Sequence, residues 1–384
     1  MRIALIIERM ETARGGLETS TAQIAAELAR RGHEVTILCR RGRPPADGIE
    51  VVELPAAGWT REARFESFAR QAAEAVRAGG CDVAHAMLPV PGADVYQPRG
   101  GTVPGQADAL ARRWGLLAPI RGAFARKLNG SRRLQGELER ELVADERVRC
   151  LAVSGMIADE FARHLGRDDA RVVLNGVAAP DPDSEKRADD RQRLRYRLGV
   201  RAGDPVFVTI ATNFELKGVY HAIAAFARWL HGQGGLRSGR MVVVGRHNPE
   251  GYRRAAGMRE IGRQVVFVPP TPDPWPWYAA ADACVLLSWY DPCSRVVLEA
   301  LRWSIPSITT AYNGAAEVLA DGAGIVVASP KRVAAVAAAT DELADPDRRA
   351  AAAAACRQAA PRVSIEAHVD GLLEAYRSLP SRAK

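Results

Sequence analysis

Short apolar runs alternate along the chain with longer segments whose apolar residues recur every three or four positions. In the first half we predict strands over RIALII, EVTILC, VVELP, DVAHAM, VRCLAVS and ARVVLNGV. We predict helices over STAQIAAELARRG, FESFARQAAEAVRAGG and GMIADEFARHLG, where the apolar spacing matches the helical period. Strands that alternate with helices in this way are typical of parallel sheets joined by crossover helices.

The alternation is interrupted once. The segment AAPDPDSEKRADDRQRLRYRLGVRAGDP begins with Pro and Asp, continues as a charged helix and ends in Gly-Asp-Pro, so we predict a linker over residues 181–204. A second alternating set runs from PVFVTIAT to GIVVA. The predicted fold class is α/β, with two doubly wound Rossmann-like domains, residues 1–180 and 205–360, facing a cleft. Residues 361–384 are predicted to form a C-terminal helix that packs back on the first domain.

The composition is that of a globular protein with full cores, since 47% of the 384 residues are hydrophobic and 26% are charged. The formal net charge of +8 favours an anionic partner, such as a phosphate or an acidic membrane surface. The six cysteines show no paired C-x-x-C spacing, which argues against a zinc site and indicates reduced thiols in a cytosol. The start, MRIALIIERM, is predicted to be a first strand and not a signal peptide, so we expect a cytoplasmic protein.

Three loops that follow predicted strands carry candidate chemistry, because ligands of open parallel sheets lie outside the carboxyl ends of the strands. The first loop contains Gly15 and Gly16 before a helix, whose free amides can approach a phosphate. The second contains Lys217 and Gly218 at the start of another helix, where the ammonium group is a point charge directed at the strand ends. Taken singly, the first loop is equally consistent with an ordinary turn and the second with a solvated lysine.

The third loop lies in YDPCSRVVLEAL. Asp291 can accept hydrogen bonds from sugar hydroxyls, and Ser294 is predicted to be the N-cap of the next helix. The amides of residues 295–297 would then be anion donors, with Glu299 in reach of the same space. Hydroxyl acceptors beside anion donors suit a nucleoside diphosphate sugar. The alternative is that Asp291 caps a turn and Glu299 stabilises the helix start through its dipole.

Together these motifs resemble the retaining glycosyltransferases of family 4, which have the GT-B fold. That family has two acidic residues separated by seven others, as Asp291 and Glu299 are in DPCSRVVLE, followed by a helix and an apolar strand. The Gly-Gly of ARGGLETS, the turn VVLNGV and the Lys-Gly of NFELKG also match. The segments LPVPGADVYQPRGG and FELKGVYHAI, with the basic segment before ELERELV, are similar to the lipopolysaccharide core glucosyltransferase I group within the family.

The resemblance implies transfer of a hexose, glucose, from UDP-glucose to a lipid-linked glycan such as lipopolysaccharide core, with retention of the anomeric configuration. It implies no cofactor besides the nucleotide sugar. The partners would be that sugar nucleotide, the lipid-linked acceptor and the inner face of the membrane, to which the protein would bind peripherally.

The resemblance also implies roles for the residues of the donor site. Gly15, Gly16 and the ammonium group of Lys217 would bind the diphosphate. Asp291 would hold hydroxyls of the donor sugar, with help from the backbone of residues 293–294.

Three further residues take roles from the same resemblance. Glu299 would accept hydrogen bonds from the ribose hydroxyls, Thr271 would lie by the nucleobase, and His85 would lie near the acceptor. The predicted catalytic residues are Lys217, Asp291 and His85. The predicted donor-binding residues are Gly15, Gly16, Lys217, Thr271, Asp291, Cys293, Ser294, Arg295, Val296 and Glu299.

The sequence departs from the family pattern at several positions. Asp291 stands where Glu is usual, and Ser294 replaces a common Gly. The family often adds an arginine near the lysine, at positions that are Leu216 and Thr212 here. Two other arginines are candidates for that role, Arg246 and Arg295.

Other classes of protein are compatible with parts of the sequence. An NADP-dependent enzyme is an alternative, because Arg40 and Arg41 after the second strand suit a 2′-phosphate, although the G-x-G-x-x-G spacing is missing. A sugar-nucleotide epimerase on the same fold is a second alternative. A metal-dependent transferase is disfavoured, and no metal is expected, because the tight acidic pairs lie in the predicted linker. A two-lobed binding protein would usually be exported, and a nucleic-acid partner would need aromatic residues within the basic runs.

The segment ARRWGLLAPIRGAFARKLNGSRR, residues 111–133, is basic and contains no acidic residue. Its aromatic and aliphatic residues recur at approximately helical spacing. Such a segment suits the surface of an anionic membrane, and we predict that it docks the protein on the inner leaflet. The alternative is a solvated helical hairpin over the first domain.

Overall fold

A computed structural model of the chain describes residues 1–11, 15–114, 130–232 and 237–380. The chain divides into two compact units. The first contains Met1–Val177 and Ile365–Lys384, and the second contains Ala178–Ser364.

The first unit is built on a seven-stranded parallel sheet with the order β5-β3-β1-β6-β7-β8-β9. Its strands are β1 (Arg2–Ile6), β3 (Glu34–Cys39), β5 (Ile49–Glu53), β6 (Val83–Ala86), β7 (Val95–Tyr96), β8 (Arg149–Ala152) and β9 (Arg171–Val172). A separate pair is formed by β2 (Arg9–Met10) and β4 (Arg41–Gly42). The helices are α1 (Gly16–Arg30), α2 (Arg61–Arg77), α3 (Val103–Trp114), α4 (Gly130–Ala144), α5 (Gly155–Leu165) and α13 (Ile365–Arg377).

Strand β1 lies where the strand order of the first sheet reverses, because it pairs with β3 on one side and with β6 on the other. Helix α13 completes this unit from the far end of the chain. Its Val369 and Leu372 are fully buried in one apolar cluster with Ile24 and Leu28 of α1. Doubly wound sheets bind ligands at the carboxyl ends of the strands beside such a reversal.

The second unit is built on a six-stranded parallel sheet with the order β12-β11-β10-β13-β14-β15, so its reversal lies at β10. Its strands are β10 (Val206–Ala211), β11 (Arg240–Gly245), β12 (Val265–Val268), β13 (Ala283–Leu286), β14 (Ser307–Thr310) and β15 (Gly324–Val327). Its helices are α6 (Glu185–Arg197), α7 (Val219–Leu230), α8 (Glu250–Gly257), α9 (Trp275–Ala280), α10 (Arg295–Arg302), α11 (Val333–Ala344) and α12 (Pro346–Ala359). Short 3₁₀ helices cover Gly314–Leu319 and Ala360–Val363.

The segment predicted to be a linker, residues 181–204, lies inside the second unit. It forms α6, which packs on α9. Arg191 and Arg195 of α6 donate hydrogen bonds to the buried carboxylate of Asp282, over 2.6 and 2.8 Å. Arginines of this segment therefore form ion pairs within the second unit. Composition alone does not distinguish such a helix from an exposed linker between domains.

Two strands at one side of the first sheet are shorter than hydrophobic patterning can detect. Of the predicted strand ARVVLNGV only Arg171–Val172 pairs in the sheet, and β7 was not predicted. Two residues do not show the alternation by which a strand is recognised. None of the helices in the described ranges combines the length and the hydropathy that crossing a membrane requires.

Candidate active site

Lys217 lies in the loop after β10, at the reversal of the second sheet. The carbonyl of Leu216 accepts a hydrogen bond of 2.9 Å from the Trp289 amide, which ties this loop to the end of β13. Gly218 has a φ of 64°, and a Cβ atom there would lie 2.2 Å from the Leu287 carbonyl oxygen. Only glycine fits this position. The Lys-Gly pair is therefore required for the loop to place Lys217 beside β13.

Asp291 lies in the loop after β13 and is anchored through its backbone. Its amide donates to the Tyr312 carbonyl over 2.9 Å, and its carbonyl accepts from the Gly314 amide over 2.8 Å. This parallel bridge at Asn313 fixes the Asp291 backbone on the loop that follows β14.

The structure joins Lys217 and Asp291 by an ion pair between Nζ and Oδ2, although they are 74 residues apart in the chain. The two side chains are only 19% and 12% exposed. Each charge compensates the other where an unpaired charge would be strongly disfavoured. A ligand that carries both phosphate and hydroxyl groups could replace both partners, with phosphate on the ammonium group and hydroxyls on the carboxylate.

Both oxygens of Glu299 are occupied by neighbours in the same unit. Arg295 Nη2 donates to Oε1 over 3.0 Å, and the Tyr278 hydroxyl donates to Oε2 over 3.0 Å. Burial, with the nearby charge of Glu299, raises the pKa of Tyr278 well above its usual range, so the hydroxyl remains a donor. The orientation of the Glu299 carboxylate is therefore fixed from two sides, and Arg295 is engaged by it, whereas Arg246 after β11 is exposed.

Ser294 is the N-cap residue of α10, as predicted, but its side chain makes no capping hydrogen bond. Asn313 holds the helix start instead. Its Oδ1 accepts from the amides of Ser294 and Ala315 over 3.2 and 3.1 Å, and its Nδ2 donates to Thr309 over 2.9 Å. One buried asparagine thus connects the start of α10 with the loop after β14.

The remaining predicted donor-binding residues lie in loops that follow strands or in the first turns of the helices after those loops. Gly15 directly precedes α1 and Gly16 begins it. Thr271 follows β12 and donates from Oγ1 to the Asp273 carbonyl over 2.9 Å. Cys293 is buried, and the Val296 carbonyl lies 3.3 Å from the Tyr278 hydroxyl. The contacts of these residues with a ligand stay predictions.

His85 is a residue of β6 and has no exposed surface. Its Nδ1 lies 2.6 Å from the Tyr376 hydroxyl, and among the described residues its Nε2 has no partner. Burial, with Arg99 nearby, lowers the pKa of His85 to about 3, so the ring is neutral near pH 7. A ring packed in this way gives no support to the predicted contact with an acceptor, and that role stays a prediction.

A polar cluster around Arg99 was missed by the sequence analysis. The guanidinium group donates to Ser20 of α1 and to Asn175 of the VVLNGV turn. It also contacts Gln97 Oε1 over 2.9 Å and His368 Nε2 of α13 over 3.0 Å. Three motifs quoted above, ARGGLETS, YQPRGG and VVLNGV, therefore meet at one arginine. Their individual positions gave no sign of this contact.

Two predictions concern features that the described residues do not test. No group of three or more His, Cys, Asp or Glu in the described ranges is arranged to hold a metal ion. The expectation that none is needed stays a prediction. Of the predicted membrane segment, residues 111–133, positions 115–129 lie outside the described residues.

Comparison with known proteins follows the division into two units. The Glycosyltransferase Family 4 model matches residues 14–179, and the model for glycosyl transferases group 1 matches residues 190–363. The chain is 24% identical over 324 residues to lipopolysaccharide glucosyltransferase WaaG of Escherichia coli, covering 82% of each protein. It is 28% identical over 401 residues to D-inositol 3-phosphate glycosyltransferase of Acidothermus cellulolyticus, covering 94% of this chain and 85% of that protein.

Solved structures show the same fold. The crystal structure of WaaG, a glycosyltransferase involved in lipopolysaccharide biosynthesis, matches with a TM-score of 0.80 at 20% identity, covering 98% of this chain and all of that one. HepE of Anabaena, solved in complex with UDP-glucose, matches with a TM-score of 0.70 at 17% identity, covering 99% of this chain and 100% of its own.

Two parallel-sheet α/β units with this likeness define the GT-B fold, and the class is that of the glycosyltransferases. The two family models together match most of the chain. It belongs to the GT-B glycosyltransferases that combine a family 4 domain with a group 1 domain.

Proposed function

We propose that this glycosyltransferase moves glucose from UDP-glucose to a lipid-linked glycan such as lipopolysaccharide core, with the anomeric configuration retained. The observation that carries the proposal is the Lys217–Asp291 pair at the reversal of the second sheet. Similarity to a lipopolysaccharide glucosyltransferase supports the sugar and the acceptor. The fold shared with a protein solved with UDP-glucose supports the donor.

The proposed chemistry uses charge that develops as the anomeric C–O bond breaks. Negative charge then builds on the β-phosphate, and a fixed ammonium group at Lys217 stabilises the transition state more than the ground state. Asp291, released from Lys217, would hold hydroxyls of the donor sugar. Glu299 would accept from the ribose hydroxyls, which are present before and after the reaction.

A direct test has two parts. A thermal-shift screen of UDP, GDP, ADP and their glucose derivatives should show the largest rise in melting temperature with UDP compounds, because a specific ligand stabilises the folded state by mass action. Incubation with UDP-glucose and a lipopolysaccharide acceptor truncated at the inner core should then yield an α-linked product by NMR. A β-linked product would exclude retention, and no response to any nucleotide would exclude the proposed function.

The proposal includes independence from divalent metal, motivated by a lysine where a metal would otherwise neutralise the diphosphate. The rate of transfer should be unchanged in excess EDTA. Activity that is lost in EDTA and restored by Mg²⁺ or Mn²⁺ would contradict this part alone.

A second acceptor class is favoured by one observation. A relative that spans 94% of this chain is named for D-inositol 3-phosphate, a phosphorylated polyol. Parallel assays with inositol 3-phosphate and with the truncated lipopolysaccharide would decide between the two acceptors.

The remaining alternatives are also testable. An epimerase would convert UDP-glucose to another UDP-hexose without an acceptor, which incubation with the donor alone would show. The NADP-dependent alternative loses its support, because Arg40 pairs with Glu8 over 3.1 Å and Arg41 lies 3.9 Å from Glu11.

The proposed membrane partner rests on residues 111–133 and on a neighbouring tryptophan. Trp59, just before α2, is completely exposed. The end of the basic segment lies beside this helix, because Arg133 is 3.7 Å from Glu62 in its first turn. An exposed tryptophan beside basic residues suits the interface of an anionic membrane, where the ring enters the headgroup region and the charges meet the lipids.

Flotation with liposomes tests this proposal. The wild type should float with anionic vesicles at low salt and be released at high salt. A variant with Arg121, Arg126, Lys127, Arg132 and Arg133 changed to Gln should stay at the bottom. A control with Arg228, Arg253, Arg254, Arg259 and Arg263 of the second unit changed to Gln loses the same charge and should still float. Equal behaviour of the two variants would leave the helical hairpin as the better explanation.

A further inference from the structure

The first unit contains a cavity of about 430 Å³ at the carboxyl end of β1, the strand at which its sheet reverses. The loop after β1 and the first turns of α1 and α2 surround it. Its charged lining residues are Glu8, Arg9, Glu18, Arg40, Arg61 and Arg64.

The lining carries four arginines and two glutamates, so its formal charge is positive. Arg40 is balanced by Glu8, at 3.1 Å. Among the described residues, the other three arginines form no ion pair with a carboxylate. They are Arg9, Arg61 and Arg64. Guanidinium groups without a carboxylate partner, gathered around one open space, bind phosphate oxygens strongly and with directed hydrogen bonds.

The loop before α2 holds this side of the cavity in place. The Thr60 hydroxyl accepts from the Ala63 amide over 3.0 Å and caps the helix. A Cβ atom at Gly58 would lie 2.6 Å from Ala63 Cβ, so the loop closes tightly on the first turn. Arg64 Nη1 donates to the carbonyls of Gly58 and Trp59 over 3.3 and 3.2 Å, which fixes its guanidinium group. An anion would therefore meet donors that are already positioned.

The amino ends of α1 and α2 add to the positive electrostatic potential of the cavity. Leu17 and Glu18 lie in the first turn of α1, and Arg61 is the first residue of α2. The amino ends of both helices border the cavity, and each contributes a partial positive charge. Two other cavities among the described residues carry more acidic residues than arginines, with Asp94, Glu141 and Asp145 beside Arg147 in one of them.

We propose that this cavity binds a phosphate monoester of the acceptor substrate, with Arg9, Arg61 and Arg64 as the ligands of the phosphate. The assignment of the phosphate to an acceptor rests on the proposed function. The phosphate site itself is inferred from the residues of the cavity alone. Phosphate could also come from the nucleotide donor, whose proposed ammonium partner, Lys217, lies in the second unit. The experiment must therefore separate the two sources.

The test is calorimetric titration with inorganic phosphate and, separately, with UDP. The proteins are the wild type, Lys217→Ala, the double variant Arg61→Gln/Arg64→Gln, and Arg70→Gln as a matched control. Arg70 lies on the same helix, is 64% exposed and pairs with Glu74 outside the cavity. Equal circular dichroism spectra and melting temperatures would show that all four proteins are folded.

Phosphate affinity should fall roughly tenfold to a hundredfold in the double variant, as expected for the loss of two charge-assisted hydrogen bonds. It should be unchanged in Lys217→Ala and in Arg70→Gln, and UDP affinity should be unchanged in the double variant. With a working transfer assay, the double variant should raise the KM for a phosphorylated acceptor and leave the KM for the donor alone.

Three results would overturn the proposal. They are phosphate binding that survives in the double variant, phosphate binding that disappears in Lys217→Ala, and UDP binding that falls in the double variant. If the wild type bound phosphate in the cavity but no nucleotide, the proposed function would fail while the phosphate site remained.

Discussion

The two units share one architecture but differ in how charge is arranged at the carboxyl ends of their sheets. In the second unit the charged groups of the candidate site are matched inside the protein: Lys217 with Asp291, and Arg295 with Glu299. In the first unit, arginines line an open cavity and, within the described ranges, three of them lack a carboxylate partner. A ligand of the second unit must therefore exchange partners with existing ion pairs, whereas an anion entering the first unit meets donors without anionic partners.

The units also differ in their buried polar groups. In the first unit His85 and His368 are fully packed and neutral, since burial and Arg99 lower both pKa values. In the second unit the buried Asp282 is charged. Burial alone would raise its pKa, but Arg191 and Arg195 hold it below the usual range. The interior of the first unit thus contains two neutral histidines, and that of the second contains an ionised carboxylate.

The largest expected effect is on the matched pair of the second unit. Lys217→Ala should lower kcat by roughly 10²–10³, the usual loss for one donor to the transition state. UDP affinity should fall less, because the lysine acts most strongly on charge that develops during the reaction. Lys186→Ala, a lysine with a 69% exposed side chain in α6, is the control and should keep full activity. A kcat within threefold of wild type in Lys217→Ala would remove the lysine from the mechanism.

The second prediction uses acid to separate the units. A histidine whose pKa is lowered by folding stabilises the protein above its unfolded value of about 6.5, and this contribution is lost as pH falls below that value. The stabilisation that the ionised Asp282 provides is lost only below the pKa of an unfolded aspartate, about 3.9. Burial also lowers the pKa of His221 in the second unit. Between pH 6.5 and 4.5 both units should therefore lose stability, and the first unit, with two fully buried histidines, should lose more.

One group in the first unit opposes this trend. Burial raises the pKa of Glu139 to about 7, so its contribution is complete below about 4.5 and is lost as pH rises through 7. The two fully buried histidines outweigh one glutamate by about one proton, or about 1.4 kcal/mol per pH unit. His33, whose pKa is also lowered by burial, adds to the loss. Hydrogen exchange, read by peptide at pH 7.0 and 5.0, should show protection falling more in the first unit than in the second. Glu139→Gln should steepen that fall, and equal loss in both units would contradict the assignment.

The sequence predicted the parts of the site that depend on local patterning. Lys217 and Asp291 were expected after buried strands, because periodicity locates the ends of strands well enough to show which loops share an edge of a sheet. The ion pair between them could not be predicted, since it joins residues 74 positions apart. The hydrogen bond from the Ser294 amide to Asn313 could not be predicted for the same reason, because that contact spans 19 residues.

Two further features of the structure also depend on contacts between distant residues. Charged composition predicted a linker over residues 181–204, and within it Arg191 and Arg195 donate to the buried carboxylate of Asp282, 91 and 87 positions away. The Arg99 cluster joins α1, the VVLNGV turn and α13, and no local pattern reports such a meeting. Local sequence patterns therefore predicted the positions of the loops. The charged contacts of these loops depend on residues far apart in the sequence and were not predicted.

The third prediction concerns Glu299. Glu299→Gln should weaken UDP binding about tenfold, as expected for one hydrogen bond to a charged group, and should change kcat little because the ribose contact is not altered by the reaction. Calorimetry with UDP provides the measurement. Glu342→Gln, an exposed glutamate of α11, is the control. Unchanged UDP affinity in Glu299→Gln would exclude the proposed ribose contact.

The smallest expected effect tests whether the hydrogen bond from Tyr278 positions the Glu299 carboxylate for its ligand. Tyr278→Phe removes only the hydroxyl that donates to Glu299 Oε2 over 3.0 Å. The loss of one hydrogen bond, about 1 kcal/mol, should raise the KM for the donor several-fold and leave kcat nearly unchanged. Tyr196→Phe, at a side chain that is 87% exposed, is the control.

The deciding measurement is a double-mutant cycle. If Tyr278 acts through the carboxylate, Tyr278→Phe should have little further effect on UDP affinity in the Glu299→Gln background. An equal loss in both backgrounds would show that the tyrosine supports the fold of the second unit and does not position Glu299.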